Sequence, residues 1–182
     1  MGKRIEVTAG FCILWAFLLL ALPLNILLGA MGAAVFHEGC HLLMIRLTGG
    51  RVIHLTVGAG GMVMETAGMP LGKEILCALA GPAGSFVLLC MYPRMPVLAV
   101  CGLVQGAFNL LPLYPLDGGR ALGCGLELLF PGRGQGILKA AEILTLLILL
   151  GLAVWVGNGA IFAWAMLAMR KIPCKDGLFG VQ

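Results

Sequence analysis

Between Glu6 and Arg46 the only formally charged side chain is Glu38, flanked by His37 and His41. That interval is roughly twice the ~20 apolar residues that cross a bilayer as a helix. Pro23 and Asn25 mark a break within it. One helix is therefore expected near residues 8–22 and a second near 25–47, closed by Gly49-Gly50. The rest of the chain keeps this character. Of its 182 residues 60% are hydrophobic and 11% charged, against about 25% charged in soluble domains. The expectation is an all-α membrane protein with residues 1–182 forming one integral membrane domain.

A third span is predicted from about Leu71 to Tyr92, carrying the cluster Ala80-Gly81-Pro82-Ala83-Gly84. Such clusters are tolerated in membrane helices where neighbouring protein satisfies the freed backbone groups. A fourth covers about 95–111, a shorter helix 119–130, and a last apolar block runs from Gly136 to Met169, interrupted at Gly157-Asn158-Gly159. The total is five or six transmembrane helices. Residues 51–66 differ. Val52, Ile53, Leu55 and Val57 favour a strand, and Gly58, Gly60 and Gly61 supply a turn, so a short membrane-associated β-hairpin is expected.

The net charge of +4 comes from basic residues at segment ends: Lys3 and Arg4, Arg46 and Arg51, Arg170, Lys171 and Lys175. That distribution carries topology information and excludes a nucleic-acid partner; with an even number of spans all three groups face the cytoplasm. The amino-terminal Met-Gly-Lys-Arg before the apolar run has the outline of a signal peptide. The run outlasts a signal's h-region and further spans follow, so a retained helix is expected. Seven scattered cysteines without CxxC imply no disulfide framework.

His37-Glu38-Gly39-Cys40-His41 is an HExxH motif. On a helix the two histidines lie one turn apart on one face, so both imidazoles can reach one metal ion. Glu38 projects about 100° round from His37, near enough to act on water at the metal without ligating it. Ionisable groups this deep in an apolar helix default to function. Two histidines leave a catalytic zinc one protein ligand short. The candidates are Asp117, Glu65, Glu74, His54, Glu127, Glu142 and Cys40. Asp117 stands out as the only acid between Glu74 and Glu127, at the end of an apolar span broken by Pro112, Pro115, Gly118 and Gly119. A plain N-cap of the following helix is the alternative. Gly39 within the motif helix suggests close packing against another helix. Cys40 is read as a buried thiol, His54 as interfacial, and Glu142 as a local partner of Lys139.

HEGCH on the second span, AGPAGSF on the third and NLLPLYPLDGGR after the fourth resemble the site-2 protease family of intramembrane metallopeptidases. The compact chain is similar to that family's stage IV sporulation protein FB branch. The resemblance implies that His37, His41 and Asp117 bind Zn2+, that Glu38 activates water, and that Asn109 positions substrate. It implies strand addition of an unwound substrate onto segment 51–66. The expected partners are a membrane-embedded or membrane-associated protein substrate and a membrane regulator. The expected setting is a multi-pass protein of a bacterial cell membrane, in sporulation or transmembrane signalling. A membrane metal-ion transporter is the competing function. It would spread its ligands along a pathway, often repeated between halves, and no internal repeat is evident.

Overall fold

The computed structural model describes residues 4–58 and 61–157. A short strand β1 (Arg4–Val7) leads into helix α1 (Ala9–Ala21). Pro23, with φ −57° and ψ 141°, stops that helix and starts α2 (Leu24–Leu47). At the far end of α2 the Thr48 hydroxyl donates to the carbonyls of Met44 and Ile45 at 2.9 and 3.0 Å. Gly49 then turns the chain out in the left-handed region at φ 79°.

Strands β2 (Val52–Gly58) and β3 (Gly61–Thr66) form the expected hairpin. Their register pairs Leu55 with Met64 and Val57 with Met62, with an irregularity between Val52 and His54. β1 was not anticipated. It lies parallel to β2, Arg4 beside His54 and Val7 beside Val57, making a three-stranded sheet in the order β1-β2-β3. The Ile5/Val7 alternation was its only sequence signal, too short to separate from a basic tail. The sheet rests on the membrane helices through Ile45, Met64 and Cys77, with Leu42, Val52, Leu55 and Met62 packed around them.

Next come α3 (Leu71–Val87) with a 3-10 turn over Leu88–Met91, then α4 (Pro96–Asn109), α5 (Asp117–Leu129) and α6 (Gly134–Val156). α2 packs on α3 and α4, α3 on α4 and α5, and α5 on α6. The chain is thus a mostly helical multi-pass membrane protein. Much of its surface is apolar side chain: no residue of α1 is buried, and Leu20 and Trp155 are 87% and 83% exposed. An apolar surface on this scale needs lipid around it.

The five or six expected spans are met in part. Among the described residues three helices are long and apolar enough to cross a membrane: Leu24–Leu47, Leu71–Met91 and Gly134–Val156. α1 and α4, with 13 and 14 residues, reach only about 20 Å against a hydrocarbon core of about 30 Å. Pro23 cuts the first, and the loop containing Pro112 and Pro115 follows the second. Gly157, at φ 68°, ends α6 where the interruption was expected, and the remainder of that apolar block lies outside the described residues.

Gly39 also differs from expectation. It faces open space, with nothing within 4 Å of a Cβ built there. The close approach belongs to α3 and α4. A Cβ on Gly84 would collide with the Cys40 sulfur, and one on Gly102 would lie 2.9 Å from the Ser85 carbonyl oxygen and 2.8 Å from Leu88 Cδ1. Small residues at such crossings let membrane helices gain packing that lipid cannot supply. Gly102→Val is expected to force α3 and α4 apart at a cost of about 1–3 kcal/mol. Thermal unfolding in detergent checks this, and an unchanged midpoint would contradict the close crossing.

Candidate metal centre

Helix periodicity presents His37 and His41 together on the buried face of α2, 2% and 7% exposed. Asp117 reaches them from the first turn of α5. It is not the N-cap: Leu116 holds that position, and no side chain caps the helix. Its Oδ2 lies 3.0 Å from His37 Nε2 and 3.1 Å from His41 Nε2, and the two Nε2 atoms are 3.1 Å apart.

Outer contacts orient each ring. His41 Nδ1 donates to the Cys77 carbonyl at 2.7 Å, which directs the lone pair of Nε2 inward. His37 Nδ1 is 2.8 Å from the hydroxyl of Ser85, a fully buried residue of α3. Two imidazole nitrogens and a carboxylate oxygen thus converge with their electron-rich sides together. That arrangement calls for a cation at its centre. A tetrahedral ion with bonds of 2.0–2.2 Å spaces its ligands about 3.3–3.6 Å apart, so small adjustments of this triangle accommodate Zn2+. Hydrogen-bonded outer partners of this kind are the usual support of metal-ligating histidines.

α3 makes room for the rings at one residue. A Cβ on Gly81 would overlap the His41 ring and lie 2.7 Å from His37 Nε2. The first turn of α5 has the same requirement. A Cβ on Gly118 would strike the Leu110 carbonyl, and one on Gly119 would lie 2.6 Å from the Tyr114 nitrogen. The glycines after Asp117 therefore let α5 start directly against the preceding loop.

A cavity of about 640 Å³ opens onto the centre, lined among others by His37, Glu38, His41, Met62, Asn109 and Asp117. Glu38 is half-buried on the same helix and lines the cavity together with Met62 of β3. Asn109, at the end of α4, donates from Nδ2 to the Gln105 carbonyl at 3.1 Å and lines the cavity.

Of the described candidates for a third ligand, Asp117 alone joins the histidines, and the side chain of Glu65 lies outside the described residues. Glu74 lines the cavity farther out and accepts the Cys124 thiol proton at 3.2 Å. Glu127 caps the Gly132 nitrogen at 2.8 Å, and His54 lies 3.6 Å from Glu6. Cys40 is half-buried against Gly84, outside the ligand set. Glu142 accepts the Tyr114 backbone N–H at 2.8 Å, a contact 28 residues away that the local pairing with Lys139 did not anticipate. Convergence on one enclosed point, rather than a trail of sites, is unlike a transport pathway. Sequence reasoning overlooked Ser85, the Cys77 carbonyl and the role of Gly81. The AGPAGS segment was the available signal, since polar and small residues interrupt an apolar helix there.

No family model matches the chain. It is 30% identical over 146 residues to a zinc metalloprotease of Methanocaldococcus jannaschii, covering 72% of this chain and 39% of that protein. It is 31% identical over 164 residues to Rip3 of Mycobacterium tuberculosis, named as a zinc metalloprotease, covering 74% of this chain and 42% of that protein. The chain therefore spans about two fifths of the length of these relatives. Among solved structures, the site-2 protease from Methanocaldococcus jannaschii superposes with a TM-score of 0.69 at 20% identity, over 97% of this chain and 94% of that one. The chain has that fold.

Gly81→Ala places a methyl group where the imidazoles sit. It is expected to weaken zinc affinity at least tenfold, on the order of a disrupted ligand support, while helical content is retained. Competition with a chromophoric chelator measures it, and wild-type affinity would refute the role given to Gly81.

Proposed function

We propose that this chain is an intramembrane zinc metallopeptidase of the site-2 protease family. It hydrolyses a peptide bond in or beside a transmembrane segment of a membrane-embedded or membrane-associated protein. The observation that carries this reading is the His37, His41 and Asp117 triangle with Glu38 beside it in one cavity. Glu38 lies nine residues before the end of α2, about 14 Å along the helix axis and so well inside an apolar bundle.

In this reading His37, His41 and Asp117 hold the ion. Bound zinc would polarise the scissile carbonyl and bring the pKa of a water toward about 7. The Glu38 carboxylate accepts a proton from the attacking water and passes it to the nitrogen of the leaving amine. Asn109 faces the same cavity and holds the substrate main chain through its carboxamide. β3 is an edge of the sheet, and its residues Met62, Met64 and Thr66 line the cavity. An unwound substrate segment adds there as a further strand, gaining main-chain hydrogen bonds that replace those lost from its helix. Unwinding is required because a helical amide is shielded by its own hydrogen bonding.

The two shorter apolar helices, α1 and α4, belong to the membrane bundle and bring the crossings toward the five or six read from the sequence, with the hairpin lying at the membrane. As the finer reading we propose the stage IV sporulation protein FB branch, which the compact chain resembles, with sporulation or transmembrane signalling as its setting and a membrane regulator controlling access.

Glu38→Gln is expected to retain stoichiometric zinc while cleavage falls by roughly 10²–10⁴-fold, the range for loss of a general base. Metal analysis of the purified protein gives the first readout. Comparative proteomics of membrane fragments from cells carrying wild type or Glu38→Gln gives the second. Retained zinc together with retained cleavage would sink the assignment.

A further inference from the structure

α6 is the most apolar of the three long helices, yet it carries Glu142, 7% exposed, in its third turn. Burying a carboxyl group in such surroundings costs several kcal/mol unless it gains hydrogen bonds. The bond it makes is to the main chain of the loop preceding Asp117: its Oε1 accepts the Tyr114 N–H at 2.8 Å.

That loop is poor in internal ties. Pro112 and Pro115 have no N–H to donate. Leu111, Leu113 and Leu116 spend theirs locally, on the carbonyls of Phe108, Leu111 and Leu113. Tyr114 alone of these sends its amide out to another helix. The same peptide also meets the first turn of α5. A Cβ on Gly119 would lie 2.6 Å from the Tyr114 nitrogen and would overlap the Leu113 carbonyl group. The Leu113–Tyr114 peptide is therefore clamped between the Glu142 carboxylate and the helical turn that begins with Asp117. A shift of the peptide presses on Gly119 and so on the helical turn that carries the third ligand, two residues before it.

We infer that Glu142 is a positioning residue for the metal centre: its buried carboxyl oxygen fixes the loop that delivers Asp117 to His37 and His41. This rests on the metal-site reading above. What matters is an acceptor oxygen at the reach of a glutamate side chain. Glu142→Gln keeps that oxygen in place. Glu142→Asp keeps the carboxylate and withdraws it by one methylene, and Glu142→Met keeps the length with no acceptor.

The test measures zinc dissociation constants for the full chain in lipid nanodiscs, by competition with a chromophoric chelator. Wild type and Glu142→Gln are expected to agree within about threefold, whereas Glu142→Asp and Glu142→Met bind 10–100-fold more weakly, as for other supports of metal ligands. Glu127→Ala, which removes a comparable backbone cap at Gly132 on a loop without a ligand, is expected to match wild type and controls for general loosening. Should Glu142→Met fail to fold, the Gln and Asp pair decides alone. Wild-type affinity in Glu142→Asp, or a loss in Glu142→Gln equal to that in Glu142→Asp, overturns the inference. Absence of zinc binding by wild type itself would instead overturn the metal-site reading.

Discussion

Two imidazoles and a carboxylate held within about 3 Å of one another, away from water, form the constraint around which this bundle is arranged. Unsatisfied, each of these groups would cost several kcal/mol in an apolar interior. The fold meets that cost from outside and from within. Outside the triangle, the Cys77 carbonyl and the Ser85 hydroxyl take the Nδ1 atoms. Within it, Asp117 Oδ2 and the two Nε2 atoms form a donor set suited to a cation. α3 supplies both outer partners and the gap at Gly81 into which the rings fit. One helix thus orients the ligands and accommodates them.

Close approach recurs wherever chemistry is assembled. Gly81 admits the histidines, Gly84 admits Cys40, and Gly118 and Gly119 bring α5 against the loop that precedes it. In lipid, apolar side chains gain little by leaving their solvent, so backbone proximity and shape carry more of the packing. The motif glycines do not form the site. They remove the atoms that would prevent it.

Much of this was legible in the chain. Helix bounds followed from Pro23 and Gly49, because proline and glycine punctuate helices by local sterics. HExxH identified two ligands through helix periodicity alone, and Asp117 could be singled out because acids are scarce in this sequence. Other features were hidden for physical reasons. β1 is a four-residue strand whose partner lies 50 residues away, and no local pattern reports a parallel pairing of that range. Gly39 suggested a helix contact that Gly81 and Gly84 make instead, since a glycine's own sequence does not say which way it faces. Glu142 sat beside a lysine at helical spacing, and only the folded loop revealed the amide it serves.

The separation of the ligands along the chain has a consequence in time. Asp117 follows His37 by 80 positions and His41 by 76. A polypeptide entering the membrane from its amino end presents both imidazoles well before the carboxylate exists, and that carboxylate needs α5 docked to reach them. A half-inserted chain therefore holds an incomplete coordination sphere. The three donors come together only once α5 has packed against α3.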